Sequence, residues 1–173
     1  MSTFVPQVAK IVSMDVSKAY EELKKILREF KCKIVEEEPP NKIVVEHGSA
    51  FAYSPMNAEK IVTFILTHVD SKTRIVAATQ LTSDYKQFII LSKVFGFLAF
   101  LILYGVRFGV VDTLINLTKR LAGYVPPDIE AMVEMLNVLL FIAIAMIVID
   151  TIWDIYIYWK RNSFAENVLK LLP

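Results

Sequence analysis

Four ionisable residues stand where apolar neighbours make them costly. Arg107 and Asp112 interrupt one long hydrophobic stretch, and Asp150 and Asp154 close another. Charged groups at such positions face protein or water rather than lipid. Asp150 and Asp154 are four apart, so a helix puts both carboxylates on one face. With the two stretches taken as antiparallel spans, Arg107 falls near the middle of the first. Asp150 is then its expected counter-charge, about 10 Å away in depth at 1.5 Å of rise per residue. Three kinds of chemistry fit: an ion pair within the hairpin or between protomers, a path for ions or protons, or separate snorkelling to the nearer surface. Gly105 and Gly109 have the G-x-x-x-G spacing that lets two helices approach. Their partner is either the chain's own second helix, at Ala143, or another copy.

Other candidate groups lie earlier. His47 alternates with Ile43 and Val45, and His68 with Val62, Phe64 and Leu66, so each sits on a strand face where it could line a pocket or simply occupy the sheet. Cys32 is the single cysteine, which excludes an intrachain disulfide, and one Cys with two His is too few for a Cys/His zinc site. Lys31 and Lys33 flank Cys32 without forming a specific cationic pocket that would make it reactive. No phosphate loop, Ser-His-Asp set or zinc-ligand spacing is present. No catalytic residue, metal or cofactor is therefore expected.

These groups must be positioned by two kinds of element. The chain has 173 residues, 55% of them hydrophobic, with 19 basic and 18 acidic side chains. Mean hydropathy is +0.48, above that of an ordinary soluble domain. The near-balanced charge, without a basic run, argues against a nucleic-acid partner. Charge is concentrated in residues 1–86. Beyond them, Ile89–Leu117 and Met135–Trp159 are each long enough to cross a bilayer. Gly123–Pro127 forms the turn between them, and Asp128 caps the second helix. Lys86, Lys93, Lys160 and Arg161 flank one side and only Lys119 and Arg120 the other, so both termini are expected in the cytoplasm. Trp153, Tyr156, Tyr158 and Trp159 form an inner aromatic belt. MSTFVPQVAK lacks the pattern of a signal peptide. Abundant Lys, Glu, Ile and Val with few Gln suggest a thermophilic source.

The first 86 residues read as strand (3–13), helix from Val16, strands 32–38 and 42–48, a loop or irregular edge strand over 49–57, and a strong hairpin of 59–69 with 73–82. The fold class is therefore an α+β domain, an antiparallel sheet with one helix, followed by a transmembrane α-helical hairpin (87–161) and a short tail (162–173). Ser163 and Glu166 in the tail have capping-box spacing, and Phe164, Val168 and Leu171 share a face. The tail reads as a short amphipathic helix on the inner leaflet or against the sheet domain, or else as a frayed end. The element order, with the entry VSMDVSKAYEELKKIL, resembles the helix-grip fold of the START and Bet v 1-like superfamily and the half-repeat of the TATA-binding protein. Both run β-α-β4-α with the last helix on a curved sheet; a ferredoxin-like sandwich is the runner-up. The resemblance covers residues 3–92. The expected role is an accessory or binding protein of the cell membrane. Its sheet domain recognises a lipid, small ligand or partner, and its hairpin self-assembles or docks into a larger complex. The rivals are a homo-oligomeric channel and, last, a lipid-modifying enzyme.

Overall fold

Asp15 opens the first helix with its backbone extended and its side chain accepting from the Lys18 N–H at 2.9 Å, which satisfies one of the donors a helix start leaves unpaired. From there Ala19, Tyr20, Leu23, Ile26 and Leu27 recur on one face and are buried. This helix, α1 (Val16–Glu29), follows strand β1 (Gln7–Val12) in a computed structural model that describes residues 7–173. The part of the first expected strand at residues 3–6 lies outside the described residues.

Four more strands follow: β2 (Lys33–Glu38), β3 (Lys42–His47), β4 (Lys60–Val69) and β5 (Lys72–Leu81). All neighbours are antiparallel, in the spatial order β1-β5-β4-β3-β2. The β4–β5 hairpin turns on two residues, with Asp70 at a positive φ of 53°, a conformation that aspartate tolerates. Strict alternation in β5 buries Thr73, Ile75, Ala77, Thr79 and Leu81. Residues 49–57 form a loop with a single bridge between Ser49 and Ala58, not a further strand.

The chain divides into two compact units. One comprises Met1–Phe88 with Ile155–Pro173, the other Ile89–Asp154. In the first, helix α5 (Ser163–Leu171) joins α1 over the sheet: Phe164, Ala165, Val168 and Leu169 are buried in the same core as Leu23, Ile43, Phe64 and Ile75. The 162–173 segment is thus a packed layer of the sheet unit. The expected capping box does not form. Asn162, not Ser163, precedes the helix, and it is helical itself (φ −79°, ψ −8°), because the chain arrives through a tight turn after Trp159. A box needs its Ser in extended backbone.

The second unit is a helical hairpin. Residues Ser83–Ala122 run continuously as α2 (Ser83–Gly105), a π-helical turn (Val106–Val111) and α3 (Asp112–Ala122). Gly123, at φ 77°, ends α3 and donates to the Lys119 carbonyl. Pro127 then opens α4 (Pro127–Trp159), with Asp128 and Glu130 in its first turn where the helix dipole favours anions. The inward-facing positions run 93, 96, 100, 103 and 107 on one helix and 136, 140, 143, 147, 150 and 154 on the other. Steps of three and four make a seam of the kind that packs two helices side by side. Both long segments are apolar enough to cross a membrane.

Burying an aromatic ring and then deleting it costs about 3–5 kcal/mol in a well-packed core. Phe164→Ala should therefore lower the unfolding free energy of the sheet unit by about that much, and Leu171→Ala, at an exposed position, by under about 0.5 kcal/mol. Denaturation of the detergent-solubilised chain, followed by the β-sheet circular-dichroism band, measures both. Equal effects would mean that α5 is not a core layer.

Candidate functional site

One end of the sheet brings Cys32, His47 and Lys60 together. His47 on β3 and Lys60 on β4 are directly opposed in register. Phe164 covers both: its ring stacks on the His47 imidazole at 3.9 Å and 14°, and the Lys60 ammonium sits 5.9 Å from its centre. Phe30 meets Phe164 edge-on at 5.6 Å. The Cys32 Sγ lies 3.6 Å from His47 Nδ1. Burial pushes the thiol up to about 11, so at neutral pH it keeps its proton and faces the imidazole as a weak donor. Burial, and then the nearby Lys60 charge, pull His47 below the ordinary histidine value. A protonated thiol beside a neutral imidazole is a poor nucleophile.

Lys60 is fully buried, and burial brings its ammonium down to about 8. It donates to the Pro55 carbonyl and, at 3.1 Å, to that of Met56. Its position was readable: in EKIVTFILTHV it shares a face with Val62, Phe64 and Leu66. His68, on that same strand, lies beyond the core and is exposed, so the two histidines are not brought together. Among the described residues no group of three His, Cys, Asp or Glu could hold a metal ion.

These shifts set a pH window. Lys60 binds its proton more weakly folded than unfolded, so between its folded value of about 8 and its ordinary 10.5 stability rises with pH. Cys32 runs the other way from its ordinary 9, as does Tyr20 from 10, because burial raises both. The urea midpoint of the sheet unit should therefore rise between pH 8 and 9 and flatten or fall above that range. Lys60→Met should abolish the rise. A rise that persists in that variant would assign it to another group.

In the hairpin unit Lys93, Arg107, Asp150 and Asp154 turn inward and are paired. Lys93 reaches Asp150 at 2.5 Å and Asp154 at 2.7 Å, one ammonium between two carboxylates. Arg107 donates from Nη1 to Asp112 at 2.5 Å and from Nε to the Asn137 side chain at 2.9 Å. Its guanidinium also lies 4.8 Å over the Phe108 ring. The expected Arg107–Asp150 pair is thus replaced by two separate clusters, about 21 Å apart along the helix at 1.5 Å per residue. The uncharged stretch Val94–Val106 separates them. The π turn explains the choice of partner: in an α-helix residues five apart diverge, whereas the wider turn brings Arg107 over Asp112. Ala143 faces the seam. At Gly105 and Gly109, by contrast, an added Cβ would meet nothing within 4 Å, whereas at Gly96 it would make an ordinary contact with Ile147 at 3.7 Å.

Contacting pairs couple and distant ones add. Arg107→Leu with Asp112→Leu should show an interaction energy above about 1 kcal/mol, whereas Arg107→Leu with Asp150→Leu should add within about 0.5 kcal/mol. Unfolding of the purified chain in mixed micelles gives both cycles, and strong coupling in the second would restore the original pairing.

An open groove of about 460 Å³ runs along β1 and α5, lined by Val8, Ala9, Lys10, Glu166, Leu169 and Lys170. Lys10 also bonds the Leu172 carbonyl across it. Neither histidine lines this groove.

No family model and no curated protein matches the chain. Among solved structures, the crystal structure of protein MLL2253 from Mesorhizobium loti is a weak neighbour. It is 15% identical, with a TM-score of 0.36, over 47% of this chain and 82% of that one.

Proposed function

We propose that the chain is a two-span integral membrane protein whose α+β unit is a non-enzymatic binding module on the cytoplasmic side. The observation that carries this reading is the inverted polarity of the hairpin. Ile90, Phe95, Phe97, Leu98, Ile102, Phe141 and Ile149 point outward and are exposed, while Lys93, Arg107, Asp150 and Asp154 turn toward the opposite helix. In water that arrangement is unfavourable, because each large apolar side chain left out forgoes about 1.5–3 kcal/mol of burial. In hydrocarbon it is the favoured one, since the charges find partners inside.

The composition of the sheet unit supports an even number of crossings. Chain from before the hairpin and from after it shares one core, so both ends emerge on one side. The excess of Lys and Arg there, Lys86, Lys93, Lys160 and Arg161, makes that side the cytoplasm. A helix-grip relationship is favoured by the pair of helices, α1 and α5, on one face of an antiparallel sheet. That face is filled by side chains, so recognition of a lipid, small ligand or partner falls to surfaces such as the β1–α5 groove. Assembly with a second copy, or with a larger membrane complex, uses the open Gly105–Gly109 face. The conducting alternative is not favoured, because each hairpin satisfies its own charges.

Cysteine labelling of a Cys32→Ala chain tests the topology. A cysteine replacing Tyr124 should react with an impermeant reagent from outside intact cells. Cysteines replacing Lys72 or Lys170 should react only after lysis. External labelling at 72 would reverse the orientation, and labelling of all three in intact cells would remove the membrane reading.

A further inference from the structure

We infer that the 48–58 loop is a second membrane contact, a rigid interfacial anchor that sets Phe51 and Tyr53 into the headgroup region of the bilayer. The inference rests on the membrane reading above and extends it to a part of the sheet unit that the spans do not include.

The loop is tightly held. Gly48 has a φ of 99°, and a side chain there would lie 2.3 Å from the Asn57 carbonyl oxygen, so its base closes only with glycine. Ser49 donates to the Asn57 carbonyl at 2.9 Å, Ala52 to that of Ser49 at 3.1 Å, and Ala58 to that of Ser54 at 2.8 Å. Buried Lys60 holds the Pro55 and Met56 carbonyls from below. From the first turn of α2, the Tyr85 hydroxyl donates to the Ala52 carbonyl at 3.2 Å. A loop with this much internal bonding would ordinarily tuck its aromatic rings inward. Here Phe51 and Tyr53 stay 72% and 63% exposed.

What they touch identifies their partner. Both rings lean on Phe88, at 5.2 and 6.3 Å between centres. Phe88 immediately precedes Ile89, where the apolar span begins. The aromatic cluster is therefore continuous, along the chain, with the point of entry into lipid. Aromatic side chains favour that depth. The loop chemistry agrees: Gly48–Ala58, GSAFAYSPMNA, contains no charged residue, so lowering it among headgroups strands no ion. Its exposed surface offers a soluble protein no charge to recognise.

Brominated lipids read the depth of a tryptophan. The chain has two, so Trp153→Phe with Trp159→Phe gives a dark background. Into it go Phe51→Trp, or Phe141→Trp on an outward face of the second span as a reference. In phosphatidylcholine vesicles brominated near the headgroup, the Phe51→Trp fluorophore should lose about half its emission, and should lose less when the bromines sit near the chain ends. The Phe141→Trp fluorophore should show the opposite order. If Phe141→Trp is quenched and Phe51→Trp is not, the anchor is overturned and the spans stand. If neither is quenched, the membrane reading itself falls. Deeper quenching of Phe51→Trp than of the reference also overturns the anchor. Both substituted sites are exposed, so the fold tolerates the changes, which circular dichroism verifies.

Discussion

The sheet unit depends on a single long-range contact, the seating of Phe164 against His47 and Phe30. One aromatic ring from the far end of the chain closes the layer that α1 leaves open, and it sits against the imidazole, the buried ammonium and the edge of another ring. The constraint behind it is geometric. A five-stranded antiparallel sheet with one 14-residue helix on its inner face cannot exclude water from all of Ile43, Phe64 and Ile75. A second helix must lie beside the first, and in this chain it comes only after the hairpin. The layout of both units follows from that return.

The two units distribute their apolar and charged side chains in opposite ways. In the sheet unit apolar side chains meet under α1 and α5, and the charged pairs stay outside: Lys24 with Glu37 at 2.7 Å, Lys33 with Glu46 at 2.9 Å, Lys42 with Glu36 at 2.6 Å. Exposed pairs of that sort contribute little. In the hairpin the apolar surface is outside and the charges are central. Breaking one of those pairs leaves the surviving partner facing the opposite helix without its counter-charge.

Local signals carried most of the fold. The start of the first helix at Val16, the hairpin of β4 with β5 and the turn that opens at Gly123 each depend on residues within a few positions of one another, and each is where the sequence pattern puts it; Asp128, the expected cap, instead lies inside α4, which Pro127 opens. Failures of the pattern share one cause, an assumption of regular geometry. Opposite charge at similar depth makes Asp150 the expected partner of Arg107; the π turn instead brings Asp112 within reach. Ser163 has the right neighbour for a capping box, yet the backbone before it is already helical. The Cys32–His47–Lys60 cluster required knowing that β3 and β4 are adjacent and which tail residue covers them. The two-sided choice for the tail, lipid surface or sheet, is not decidable from an amphipathic face alone, because both environments are apolar.

The discontinuity of the sheet unit fixes an order of events during synthesis. When Phe88 leaves the ribosome all five strands and α1 exist, but the face meant for α5 is still bare. At about 5–20 residues per second, the stretch from Ile89 to the end of α5 takes roughly 4–17 seconds to appear. For that interval a nearly finished sheet exposes an apolar face beside an emerging hydrophobic helix. The hairpin is made before the helix that closes the domain. Until α5 is made, the chain therefore has no means of covering that part of its own core.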